Sequence, residues 1–243
     1  MRNQTRTIIA LASAAWMSFS TASLAQEAGA DTKTRSSRGY FMPGASILDL
    51  DNLNAKLQST GYPSFSDNLF SLGGGGHSII NRFIIGGEGH GLMTSDKDFT
   101  LANRNYKNKL DAGYGFFNLG YQIIANGGFS LYPLIGIGGG HLKLKITERA
   151  SPSFDDVLAN PNRSAELSTG GLLLHASLGF DHLVGMRRDG GRQGGFMLGL
   201  RAGYIFAPLK DDWRLNASEI AGGPELSVTG SFVRLMIGGG HGK

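Results

Sequence analysis

Between Arg38 and Gly240 the sequence breaks into short runs whose apolar residues recur at every second position. The clearest lies near 195 to 207, where Phe196, Leu198, Leu200, Ala202, Tyr204 and Phe206 share one parity and Met197, Gly199, Arg201 and Gly203 the other. A period of two is that of a β-strand with two unlike faces. Eight runs of this kind, bounded by turn residues, predict strands near 38–45, 69–80, 83–94, 110–125, 129–146, 170–184, 195–207 and 227–240. The 38 glycines among 243 residues are about twice the usual share, and they keep the apolar residues in short pieces.

The connections alternate in length. Segments 46–68, 95–109, 147–169 and 208–226 are long, while Asn81-Arg82 and Asn126-Gly127-Gly128 are tight and 185–194 is moderate. A short turn after every second strand predicts an all-β fold, an eight-stranded antiparallel up-and-down barrel with all its long loops at one end. An even strand count brings both chain ends to the tight-turn end. In the first long loop, Ile47, Leu50, Leu53 and Leu57 recur at helical spacing, Ser46 and Asp49 resemble a capping box, and Gly61 and Pro63 supply a stop. One short amphipathic helix near 47–59 follows.

Ahead of the barrel region, Arg2 and Arg6 precede an apolar stretch from Ile8 to Phe19. Ser23 and Ala25 then fall at the −3 and −1 positions of a processing site, so residues 1–25 read as a signal peptide cleaved near Ala25. Loss of Arg2 and Arg6 brings the formal charge from +4 to +2, too small a bias to imply a nucleic-acid partner. Residues 26–37 read as a flexible lead-in, and residues 38–243 as the barrel domain. The chain has no cysteine, which excludes disulfides, thiolate metal sites and a thiol nucleophile.

The alternation sorts side chains into an outer apolar face and an inner polar one. In 110–125, Phe117, Leu119, Tyr121 and Ile123 oppose Asn118 and Gln122. In 170–184, Leu172, Leu174, Ala176, Leu178 and Phe180 oppose Leu173, His175, Ser177, Gly179 and Asp181. In the second half of 129–146, Leu142, Leu144 and Ile146 oppose His141, Lys143 and Lys145. The first two strands are not decided by pattern, because Gly73 to Gly76 carry no side chains. The expected interior is a network of Glu88, His90, Asn118, His141, Lys143, His175, Asp181, Arg201 and Arg234, since a barrel of about eight strands is just wide enough for side chains to fill it and buried charges must be paired. Phe83, Tyr121, Phe129, Phe180 and Phe196 bracket the shorter connections and are expected to form an aromatic girdle there.

Glycine tracts ending in histidine recur at 73–77, 138–141 and 238–241, with a relative at 86–90. None is followed by a helical pattern, so a phosphate-binding loop is not expected, and the tracts read as packing devices in a crowded, curved wall. Glu88, His90, His141 and His175 are metal-ligand types, yet a paired network accounts for them as well, and neither metal nor cofactor is expected.

With these features in place, residues 38–243 resemble the small eight-stranded outer-membrane β-barrel proteins of Gram-negative bacteria, in architecture alone. The resemblance implies an outer-membrane location, insertion by the barrel-assembly machinery, contact with membrane lipid and lipopolysaccharide, a monomeric state, and a structural, adhesive or narrow-pore role. One departure is the C-terminus, which ends Gly240-His241-Gly242-Lys243 where such barrels finish on an aromatic residue; the nearest such stretch here is Phe232 to Ile237. His175-Ala176-Ser177 resembles the His-x-Ser pair of the lipid A deacylase family, which implies a lipid-modifying hydrolase. Here, however, the register turns both residues inward and the acid at 189 is Asp rather than Glu. No catalytic residue is assigned. Charged clusters in the long loops, such as Asp96 to Lys109, suit either lipopolysaccharide phosphates, divalent ions or plain solvation. A soluble periplasmic or secreted barrel holding an apolar ligand satisfies the same alternation with its polarity inverted.

Overall fold

The computed structural model describes residues 35–149, 153–159, 164–189, 192–216 and 218–242. The signal peptide expected at 1–25 and most of the lead-in expected at 26–37 lie outside the described residues.

Eight strands form the wall: β1 Arg35–Leu48, β2 Asn68–Ile80, β3 Phe83–Met93, β4 Arg104–Tyr121, β5 Phe129–Glu148, β6 Ser164–Asp189, β7 Arg192–Lys210 and β8 Gly230–Gly242. Each pairs antiparallel with its neighbours in sequence, and β1 pairs with β8 from Ser36↔Gly242 to Leu48↔Gly230, which closes the barrel. Four shorter strands, Lys97–Leu101, Ile124–Asn126, Arg214–Leu215 and Ser218–Glu219, add to the wall at its ends. The fold is the all-β, eight-stranded antiparallel up-and-down barrel that the sequence predicts.

The turns follow from local chemistry. Asn81 and Arg82 have φ of 49° and 75°, and Gly127 and Gly128 have 56° and 88°. Two successive left-handed residues give the turn whose twist matches that of a hairpin. The connection read as moderate at 185–194 is in fact strand: β6 runs to Asp189 and β7 starts at Arg192, with Asp189 paired to Arg192. Glycine and arginine there mimic loop composition, but β6 and β7 go on pairing past Gly185↔Gly195, through a register shift between Met186 and Asp189.

Helix α1, Asp51–Ser59, occupies the first long loop and starts later than the capping pattern suggests. Ser46 and Ile47 belong to β1, where they pair with Leu69 and Asn68, and no side chain caps the helix. Ladder hydrogen bonds on both sides of β1 outcompete a local cap at those residues. Leu50, Leu53 and Leu57 are buried while Ile47 points outward from the barrel. Gly61, at φ 82°, ends the turn that follows. A second helix, α2 Phe154–Ala159, lies in the third long loop. Ser153 and Asp156 cap it reciprocally through Asp156 N to Ser153 Oγ and Ser153 N to Asp156 Oδ2.

The inside of the barrel is solid. Toward the tight-turn end, Met42, Ile79, Ile84, Leu134, Met197 and Met236 pack around Tyr132. Toward the loop end, a larger cluster joins Leu110, Leu142, Leu144 and Phe232 from the wall to Leu53 and Leu57 of α1 and to Trp213, Leu226 and Val228 of the last loop. Between these plugs lies a polar layer.

Candidate functional site

The polar layer is built from alternate residues of nearly every strand. Glu88 on β3 points inward, and its two carboxylate oxygens receive hydrogen bonds from Arg201 on β7 and Arg234 on β8. The Arg234 contact, Nη1 to Oε1, is 3.0 Å. Each guanidinium also donates to a tyrosine hydroxyl, Arg201 to Tyr40 at 3.1 Å and Arg234 to Tyr114. Tyr40 Oη in turn lies 3.1 Å from His77 Nδ1. His90 stacks on Tyr114 with its Nε2 3.8 Å from Glu88 Oε1. On the far side, His175 Nε2 lies 2.8 Å from Asn118 Oδ1, and its ring meets Phe116 and Phe232 edge-on. The Arg234 guanidinium carbon sits 3.7 Å from the centre of the Phe232 ring. Charge-assisted bonds of this kind are the strong ones, and a buried guanidinium is tolerable only when so paired.

Of the residues expected inside, Glu88, His90, Asn118, His175, Asp181, Arg201 and Arg234 are buried and face the lumen. Asp181 stands apart from the central cluster, 3.7 Å from Arg38 Nε. His141 and Lys143 require correction: both lie on the outer face of β5, where His141 is exposed and Lys143 is half-buried. The inner face of this part of β5 carries Leu142 and Leu144, each 2 % exposed or less. Polar-in alternation fails here because the loop end of the lumen is an apolar plug capped by α1, so leucines take the inside.

The sequence reading missed Tyr40, His77 and Tyr114 as members of the network. Tyr114 was within reach, since it shares the parity of Asn118 on β4. The β1 and β2 members were hidden because the glycine run left those strands without a readable face.

The glycine tracts make room for the network. A Cβ on Gly73 would collide with the His90 ring, one on Gly136 with the His175 ring, and one on Gly240 with the Arg38 side chain. Long polar side chains on one strand thus lie over glycines on the next.

His175 and Ser177 both face the lumen, but they are not coupled, since Ser177 Oγ has no hydrogen-bond partner. Among the described residues no three His, Asp or Glu side chains converge as metal ligands, and His141 points away from the others.

The outer face is the inverse of a soluble barrel's. Every strand of the wall places large apolar side chains outward, including Phe41, Leu72, Ile85, Phe117, Ile135, Leu178, Leu198 and Val233. Phe83, Tyr121, Phe129, Phe180 and Phe196 all stand outward at the tight-turn end. Phe83 meets Tyr121 at 5.3 Å between ring centres, and Phe129 meets Phe180 at 5.8 Å. Phe232, by contrast, is buried in the lumen, and β8 offers Val233 and Leu235 to the outside.

These features define a small up-and-down β-barrel with a filled interior and an apolar exterior. No family model matches the chain, and no curated protein sequence matches it. Among solved structures the chain is similar to Ail, the attachment invasion locus protein of Yersinia pestis, with 15 % identity and a TM-score of 0.41 over 87 % of this chain and 98 % of that one. The same protein in complex with the heparin analogue sucrose octasulfate gives a TM-score of 0.38. The outer membrane protease OmpT of Escherichia coli gives 7 % identity and a TM-score of 0.31, over 89 % of this chain and 98 % of that one.

Proposed function

We propose that the chain is an exported outer-membrane β-barrel whose role is structural or adhesive rather than catalytic or conductive. The observation that carries this reading is the continuous belt of outward apolar side chains on all eight strands. A contiguous apolar surface of that extent is stable only against lipid or a partner. On β5 the belt runs from Phe129 to Gly139 before His141, Lys143 and Lys145 begin, close to the ~9–11 residues that a tilted strand uses to cross the hydrocarbon. The aromatic residues at the tight-turn end suit the inner interface, and the charged loops suit the cell surface.

The filled lumen speaks against a narrow pore. Arg201 and Arg234 are tied to Glu88 across it, and an apolar plug lies on either side. The His175 side chain is buried, and the Ser177 hydroxyl is shielded and has no hydrogen-bond partner, which argues against a nucleophile and base working together there. In this reading the signal peptide directs export with cleavage near Ala25, the barrel-assembly machinery inserts the chain, and the barrel stands in the membrane as a monomer.

Fractionation of cells expressing the full chain, with gel mobility read before and after boiling, tests the proposal. Partition with outer membranes and a mobility that changes on boiling are expected. Recovery in the soluble periplasmic fraction with unchanged mobility would overturn it in favour of a soluble barrel.

A further inference from the structure

Three methionines lie fully buried in the lumen toward the tight-turn end: Met42 on β1, Met197 on β7 and Met236 on β8. Register brings them together. Met42 falls opposite Met236, between the pairs Phe41↔Ile237 and Gly44↔Arg234. Met197 pairs with Gly238, two residues from Met236 on the same inner face. All three belong to the apolar cluster around Tyr132, whose hydroxyl lies 3.9 Å from Met236 Sδ. Methionine is a common filler of irregular cores, so packing alone would account for the three thioethers.

Two polar side chains beside them have no part in such packing. Asp181 on β6 continues the row of Met42 and Met236 through Gly199, which pairs with both Met236 and Asp181. A Cβ on Gly199 would lie 2.6 Å from Met236 Cε and 2.9 Å from Asp181 Cβ, so both side chains cross over the same glycine. Asp181 is fully buried, and neither of its carboxylate oxygens has a hydrogen-bond partner; Arg38 Nε stands 3.7 Å from one of them. On β2, His77 is 5 % exposed and its ring meets those of Tyr40 and Tyr132, both members of the methionine cluster, at 5.5 Å. Its Nε2 is also without a hydrogen-bond partner. Buried polar atoms are nearly always bonded. A carboxylate and an imidazole nitrogen left open beside three thioethers therefore point to a ligand that engages both chemistries.

The donor set selects a soft cation. Thioether sulfur is neutral, needs no deprotonation to bind, and favours copper(I) over hard cations. Such donors can sit in an apolar plug without adding charge to it, and the Asp181 carboxylate supplies the counter-charge that a buried cation requires.

We infer that Met42, Met197 and Met236 form a binding site for copper(I), with His77 Nε2 as the nitrogen donor and Asp181 as the counter-charge. The site lies inside the wall and does not depend on what the outer face of the barrel meets.

The full chain, purified in detergent micelles without a histidine tag, is titrated in chloride-free buffer with silver(I) as a redox-inert soft cation. Copper(I) kept reduced by ascorbate and zinc(II) are run in parallel, and each ion is also added during refolding so that a sealed barrel can take it up. Calorimetry and methionine methyl NMR read the result. Expected are tight binding of silver(I) and copper(I), weaker binding of zinc(II), and shifted methyl signals for the three buried methionines but not for Met93 on the outer face. The triple variant Met42→Leu/Met197→Leu/Met236→Leu conserves volume and loses the ion. Asp181→Asn weakens binding roughly tenfold to hundredfold, and Met93→Leu leaves it unchanged. Failure of the parent to bind silver(I), equal binding by the triple variant, or zinc(II) bound as tightly as silver(I) overturns the site. Circular dichroism of each variant reports that the strands are formed. Should the triple variant not fold, Met236→Leu alone carries the same expectation of weakened binding.

Discussion

Arg201 and Arg234 are direct cross-strand partners on β7 and β8, both pointing inward, and both bind the single carboxylate of Glu88 on the opposite part of the wall. Two guanidiniums so placed repel one another, and Glu88 is the counter-charge that holds them together.

Glu88→Gln removes that charge while keeping the shape. It leaves two buried guanidiniums facing each other and is expected to lower stability by ~3–5 kcal/mol. Urea unfolding in micelles, followed by tryptophan fluorescence, measures it. A double variant, Glu88→Gln/Arg234→Met, recovers part of the loss. If the single variant is as stable as the parent, the carboxylate does not hold the layer together.

Ile135→Arg places a charge on the outer face of β5 within the belt, where Ile135 is 63 % exposed. In lipid this costs ~2–4 kcal/mol near the midplane, whereas Thr147→Arg on the same face near the loops costs ~0–1 kcal/mol. Unfolding in lipid vesicles gives both values. Equal and negligible costs would point to a wall that faces water.

Gly138 and Gly139 are adjacent on β5 but answer to different neighbours. A Cβ on Gly138 would strike the Gly115 carbonyl oxygen, whereas one on Gly139 comes no closer than 3.7 Å to any atom. Gly138→Ala is expected to cost ~1–3 kcal/mol through overpacking, and Gly139→Ala to change stability by less than ~0.5 kcal/mol. Parallel unfolding curves of the two variants decide it.

Leu53→Ala hollows the contact between α1 and the loop-end plug, where Leu53 is 3 % exposed. Filling is lost at a cost of ~2–5 kcal/mol, concentrated in the loop rather than the wall. Trypsin cleavage after Lys56 on α1 is expected to speed up while the eight-stranded wall stays intact. Unchanged cleavage would mean that α1 is held by other contacts.

The barrel was legible in the sequence where each strand has two chemically distinct faces. Along β7, Gly199, Arg201 and Gly203 alternate with the outward Leu198, Leu200, Ala202 and Tyr204, so the face of Arg201 could be read directly. The outward position of the aromatics at the tight-turn end was legible too, because hairpin ends are marked by Asn, Gly and Arg. Two things were not. Gly73 to Gly76 on β2 carry no side chains, so the parity that turns His77 and Tyr40 inward is visible only from the β1–β2 register. On β5, His141 and Lys143 were assigned inward because polar residues were expected to line the whole lumen. The loop end is instead filled by leucines meeting a helix distant in sequence, and that contact has no local signature. The helix start was misplaced for a related reason, since Ser46 looks like a cap until its partner strands are known.

The carboxylate that completes the lumenal layer comes from the third strand, and its two cations come from the last two. In the order of synthesis Glu88 therefore precedes both of the arginines that bond to it. The first six strands alone cannot shelter that charge in a dry interior. The bonds from Arg201 and Arg234 to Glu88 therefore require β7 and β8 to stand in the closed wall, which makes this cluster a property of the completed barrel.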